Sequence, residues 1–350
     1  LCFAQTQIIT FKPERLNFQP KGFFIIEVID SRPVTANIGK IWSRTQPLTA
    51  VLQGGTATAV DRYLQRYFNP SNTDSLTPII IVIKELQLSE TLIPPAKVSG
   101  SIKMNLGFET YREGKRTFLT SANASATYTR AGIAPEDIIE PQLRRLLENE
   151  LRGFNKWFAQ SVNVSDVFAR SVQLFIDDDT LLPPPTKPDT LVYYHPKRPL
   201  TWQDFQGAPG VFTRWAAQVF TSFGFEARSN VQNRTLELHV RTKVWIDKTI
   251  SWVRPDSKND YVLDHEQLHF DITRLTAERF KRKLRTMTFS VEDFSSELQY
   301  QYIEFYRLHG QLQQQYDDET GHGINQGIQA QWVKKVRDEL RSYGVSPPRK

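Results

Sequence analysis

The chain has 350 residues, 39% hydrophobic, 23% charged and 12% aromatic, with 44 basic and 38 acidic side chains giving a formal charge of +6. That length suggests two globular units, and the composition excludes a mainly disordered, collagen-like or coiled-coil chain. No apolar run reaches the ~18 residues of a membrane-spanning helix, and the modest charge is spread along the chain, so it lends no support to a nucleic-acid partner and none is expected.

Cys2 is the only cysteine, so no intrachain disulfide framework and no cysteine-based zinc knuckle can form. Leu1-Cys2-Phe3-Ala4-Gln5 reads as the tail of a secretory signal peptide cut after Ala4; a frayed terminus and a lipidated Cys2 are the alternatives. Residues 1–19 are therefore expected to be a signal remnant and an extended N-terminus, and the protein to be secreted, periplasmic or associated with the cell envelope.

Residues 20–176 are expected to form an α+β domain, one sheet covered by helices. Strands are predicted at 23–29 and 79–88, with a helix at 57–68 carrying Val60, Leu64, Tyr67 and Phe68 at helical spacing. Segments 99–111 and 117–128 pair across the turn Arg112-Glu113-Gly114-Lys115. A long helix follows over 135–160, where Ile138, Ile139, Leu143, Leu146, Leu147, Leu151, Phe154 and Phe158 recur at threes and fours. This element order, with Asp30-Ser31-Arg32 ending a strand and Ile38-Gly39 close behind, resembles the small α/β domains of bacterial envelope lipoproteins and transport-auxiliary proteins. Asp30 and Arg32 read as a local salt bridge.

Three carboxylates followed by clustered prolines mark 177–189 as a semi-rigid linker. Beyond it, in a second domain over 190–350, strands are predicted at 190–194, 219–227, 235–245 and 251–253. A helix then carries Tyr261-Val262-Leu263-Asp264-His265-Glu266-Gln267-Leu268-His269. Four residues are slightly more than one helical turn, so His265 and His269 project side by side and can bind one ion, while Glu266 stands about 100° away, placed as a general base. His-Glu-x-x-His is a zinc metalloprotease signature. Leu268, Ile272 and Leu275 share the histidine side, which should face inward.

A catalytic zinc needs a third protein ligand. His322, flanked by Gly321 and Gly323 beyond a second helix at 295–308, is the expected one, with Glu319 and then Asp317 as substitutes. His309 reads as a helix-end residue, His195 and His239 as ordinary surface or strand histidines. The run Arg279, Lys281, Arg282, Lys283 and Arg285 reads as a solvated helix face.

Four motifs in order, Pro199-Leu200-Thr201-Trp202-Gln203-Asp204-Phe205, Ser251-Trp252-Val253, His265 to Ile272, and Tyr316-Asp317 with Thr320, His322 and Gly323, are similar to those of a bacterial family of predicted secreted zinc-dependent proteases, domain of unknown function 922. The resemblance implies a zincin-like metallopeptidase domain, Zn2+ on His265 and His269, and Glu266 as base. Its substrate would be a polypeptide or another amide-containing envelope component. Tyr316 is a candidate to stabilise the oxyanion, and the strand of Trp252 a candidate edge for an extended peptide. The competing reading is an envelope binding or assembly protein with a structural or vestigial zinc.

Overall fold

The computed structural model describes residues 5–348 except 15, 17, 44–45, 69, 71, 95–96, 132–134, 178–189 and 212. The signal-like Leu1 to Ala4 and nearly all of the expected linker lie outside the described residues. The remainder is a mixed α+β structure with three sheets and five α-helices. It divides into two compact units, Leu1–Asn163 and Val164–Lys350. No helix among the described residues is long and apolar enough to cross a membrane.

The first unit runs β1 (Thr6–Ile9), β2 (Phe23–Asp30), β3 (Gly39–Ser43), β4 (Gln46–Leu52), α1 (Thr56–Gln65), β5 (Thr77–Ile93), β6 (Lys97–Arg112), β7 (Lys115–Ala131) and α2 (Glu136–Ser161). Its seven strands form one sheet in the order β1-β4-β3-β5-β6-β7, with β2 parallel to the first half of β5. The β6–β7 turn takes positive φ at Glu113 and Gly114, as a two-residue hairpin requires. The apolar stripe of α2 is buried from Ile139 to Phe158, whereas Ile138 stays outside it. Phe154 stacks on Phe108 of β6 at 4.1 Å and meets Phe23 edge-on at 5.0 Å, so helix and sheet interlock through aromatic rings.

Asp30 and Arg32 do form a salt bridge, and a buried one. Arg32 donates to both Asp30 oxygens (2.8 and 2.7 Å), to the carbonyls of Asn37 and Leu86, and to Thr56 Oγ1. All of its guanidinium donors are used, which ties the end of β2 to β5 and to the first turn of α1.

Glu150, on α2, is 3% exposed, and neither carboxyl oxygen has a hydrogen-bond partner among the described residues. Burial pushes its pKa from 4.5 up to about 8, and the nearby backbone of Ala124 and Leu106 offsets this only in part. Between those two pH values the unfolded chain releases a proton that the folded chain keeps. Stability should therefore fall as pH rises through that window and level off above it. Glu150→Gln is expected to raise stability at pH 9 by on the order of 3 kcal/mol and to change it little at pH 4. Thermal unfolding of both proteins at the two pH values checks this, and an equal effect at both would contradict it.

The second unit comprises β8 (Ser171–Asp177), β9 (Leu191–Tyr193), β10 (Ala217–Gln218), β11 (Thr221–Gln232), β12 (Thr235–Asp247), β13 (Trp252–Val253), α3 (Asp260–Arg285), α4 (Phe294–Thr320) and α5 (Gln326–Ser342). β11, β12 and β8 form a sheet in that order, with β9 on the far part of β12, and β10 pairs with β13. The seam thus differs from the composition-based one. β8, expected in the first domain, pairs in parallel with residues 235–241 of β12, a long-range partnership that no local signal reveals.

α3 is apolar on two sides. Phe270, Ala277, Phe280 and Leu284 enter the core against β11 and β12, while Leu268, Ile272 and Leu275 pack with Tyr316, Trp332, Val336 and Leu340 of α4 and α5. The basic run near its end is accordingly split: Lys281 is buried against Glu278, Arg279 pairs with Glu339 of α5, and only Arg282, Lys283 and Arg285 are solvated. The Pro199 to Phe205 motif braces α3 from outside. Asp204 holds Thr201 and Arg198, and the Leu200 amide donates to Gln267 Oε1. Two residues past His269, buried Asp271 accepts from Tyr194, Gln267 and Arg337.

Candidate metal centre

α3 is capped by Asn259, whose side chain accepts the Val262 N–H at 3.0 Å, and the four-residue spacing turns His265 and His269 to one side of the helix. Their Nε2 atoms are 3.2 Å apart. The last turns of α4 bring Asp317 to them, with Oδ1 3.3 Å from His265 Nε2 and 3.1 Å from His269 Nε2. Tetrahedral zinc, with bonds of about 2.0–2.1 Å, holds neighbouring donors about 3.3 Å apart. The three atoms therefore have the spacing of ligands that share one ion.

Nitrogen lone pairs and a carboxylate oxygen facing one another at these distances repel unless protons or a cation lie between them. Among the described residues no lysine or arginine pairs with Asp317 or Glu266. Behind the rings, His269 Nδ1 lies 2.6 Å from Gln313 Oε1, and His265 Nδ1 has the Tyr316 hydroxyl at 2.8 Å and Gln329 Oε1 at 3.1 Å. An imidazole that donates from Nδ1 offers its lone pair at Nε2, the form that binds metal. The donor set fits a divalent cation.

Glu266 is buried, and its Oε2 accepts the Val219 N–H at 2.8 Å. Burial raises its pKa above the usual glutamate value against the opposing pull of His269 and His265. Burial also acts upward on Asp317, but the close approach of the His265 and His269 rings outweighs it and holds this carboxyl well below the usual range. His265, Glu266, His269 and Asp317 all line one cleft of about 710 Å³, with Trp215, Val219 and His322 among its other walls.

His322 stands outside the trio. Its Nδ1 is 3.5 Å from Asp317 Oδ1, and its ring lies against Trp215, centroids 3.6 Å apart. The flanking glycines serve the chain path instead. Gly321 closes α4 in the left-handed conformation, and a Cβ on Gly323 (φ +83°) would come 3.2 Å from His265 Nδ1. Glu319 is directed to Gln315 and to Trp332 of α5, away from the donors. Tyr316 is fully buried and its hydroxyl sits at the rear nitrogen of His265, so it supports a ligand and has no access to an oxyanion in the cleft.

His309 is not a helix-end residue: α4 continues past it to Thr320, and it is buried in the cleft wall. Burial, reinforced by His269, lowers its pKa to about 4. Trp252 is buried and β13 is paired with β10, so the backbone edging the cleft is the segment from Trp215 to Thr221. His195 sits in a turn, its Nδ1 accepting from the Lys197 amide, and His239 stacks on Phe175. Gln313 and Gln329 were not anticipated. Gln313 was findable, since His309, Gln313 and Asp317 are spaced four apart, a single helix face once α4 is carried to its true end.

Residues 213–323 match a family described as a bacterial protein of unknown function, DUF922. The match runs from just ahead of β10 through both histidines and Asp317 to Gly323, and so contains every donor of the centre. No curated protein and no solved structure matches the chain.

Proposed function

We propose that the second unit is a zincin-like, zinc-dependent peptidase that acts outside the cytoplasm on a polypeptide or another amide-containing component of the cell envelope. The observation that carries this reading is the trio of His265, His269 and Asp317 at ligand spacing, lining a cleft beside a buried glutamate.

Zinc, when bound to this trio, would supply Lewis acidity that lowers the pKa of a water molecule and polarises an amide carbonyl. The protein's own groups do the rest. Glu266 is fixed by the Val219 amide at Oε2, while its Oε1 has no protein partner among the described residues and is available to take a proton from the attacking water. Its raised pKa makes it a better acceptor than an exposed glutamate and a competent donor to the leaving amine. Gln313, Tyr316 and Gln329 hold the two imidazoles in place.

The test is hydrolysis by the full chain, zinc-loaded and chelator-stripped, against denatured protein and peptidoglycan. Zinc-dependent cleavage of either supports the reading. Tight zinc binding with no cleavage of either would favour the alternative, an envelope binding or assembly protein with a structural metal.

A further inference from the structure

Gln313 lies between two imidazoles and touches both. Its Nε2 is 3.0 Å from the carbonyl oxygen of His269, 2.9 Å from Thr273 Oγ1 and 3.0 Å from His309 Nε2. Its Oε1 is 2.6 Å from His269 Nδ1. A backbone carbonyl can only accept, so the amide end facing it must be the NH2 group; the reverse orientation would oppose two oxygens at 3.0 Å. The other end is then oxygen, an acceptor, and His269 Nδ1 must carry the proton. As the neutral imidazole that a metal requires, it then presents its lone pair at Nε2, beside Asp317 and His265.

The same step reaches His309. The amide has two N–H groups for four neighbours, the His269 carbonyl, Thr273 Oγ1, Thr221 Oγ1 and His309 Nε2. Its nitrogen has no lone pair to give, so with one N–H on the carbonyl and the other on His309, that imidazole accepts at Nε2 and carries its proton at Nδ1, which has no hydrogen-bond partner among the described residues. Thr221 and Thr273 close the polar ring around the amide, and Thr273 also donates to the His269 carbonyl.

We infer that Gln313 is the positioning residue of the metal centre, one amide that fixes the tautomer of the ligand His269 with its oxygen and that of the cleft-wall His309 with its nitrogen. The inference rests on the metal reading of the site but not on peptide hydrolysis. It places His309 eight residues before Asp317 on α4, about 12 Å along the helix. The polar neighbours of His309 Nε2 are Thr221, Thr273 and Gln313, not Asp317 or the Nε2 atoms that Asp317 approaches.

The test uses the full chain with zinc, two substitutions and two readouts. Gln313→Leu, which leaves the His269 Nδ1 proton without an acceptor, is expected to weaken zinc binding ~10–100-fold in competition with a chromophoric chelator. Gln313→Glu keeps an oxygen toward His269 and should bind zinc more tightly than Gln313→Leu. Because the carboxylate cannot donate, it should also invert His309. In 15N-resolved imidazole spectra, His309 should be protonated at Nδ1 in the parent and gain a proton at Nε2 in Gln313→Glu, a change that mere packing at this position would not produce. Parental zinc affinity in Gln313→Leu, or Nε2 protonation of His309 in the parent, would overturn the inference. If the parent itself takes up no zinc, the metal reading fails, while the His309 spectrum still reports which way the amide points.

Discussion

Glu266→Gln is expected to lower zinc-dependent hydrolysis by about 10²–10⁴-fold while zinc content stays at the parental level. The change keeps the shape of the side chain and can retain an oxygen toward the Val219 N–H, so the segment that follows β10 should stay in register with α3. What it removes is the basic oxygen on the cleft side. Because Glu266 is buried beside the ligands but is not one of the three donors, the metal should remain. Zinc content by atomic emission, measured on the same samples as the cleavage rate, separates loss of the base from loss of the ion. Parental hydrolysis by the variant would remove Glu266 from the mechanism.

Asp317→Asn is expected to cost more in metal affinity than any change behind the ligands, beyond the ~10–100-fold of an outer-shell substitution. Asp317 Oδ1 is the only anionic donor of the trio and approaches both Nε2 atoms within 3.3 Å. The asparagine loses the charge, and its NH2, if turned inward, meets two nitrogens already aimed at the same point. His322→Ala provides the contrast. His322 touches the trio only through Asp317 at 3.5 Å and rests on Trp215, so its removal should weaken zinc binding far less. Equal losses in the two variants would return His322 to the ligand set.

The ligand pair was legible in the sequence because a helix makes residues four apart neighbours, so identity and spacing alone brought His265 and His269 together. The third donor comes from another helix, 48 residues beyond His269, and its placement depends on how far α4 extends. That helix shows little apolar periodicity: Gln311, Gln313, Gln314 and Gln315 occupy the stretch before Tyr316, and few of its side chains are fully buried. Read without that periodicity, residues 309–323 looked like a loop, and the glycines around His322 looked like a means of aiming a ligand. They cap a helix and make room for His265 instead. α5, on the other hand, was legible and was passed over: Asn325 caps it, and Ile328, Trp332, Val336 and Leu340 recur every four residues. The long strands and α2 of the first unit, by contrast, carried strong apolar patterns and stood close to their predicted positions. The boundary between the units was masked by a proline-rich stretch that follows β8, whose partner lies far along the chain.

Anomalous diffraction collected on both sides of the zinc absorption edge, from crystals of the full chain grown with zinc, tests the centre most directly. The expected result is a single strong peak about 2 Å from His265 Nε2, His269 Nε2 and an Asp317 oxygen, with the remaining direction open to the cleft. A zinc-free trio, or a peak held elsewhere on the chain, would contradict the account.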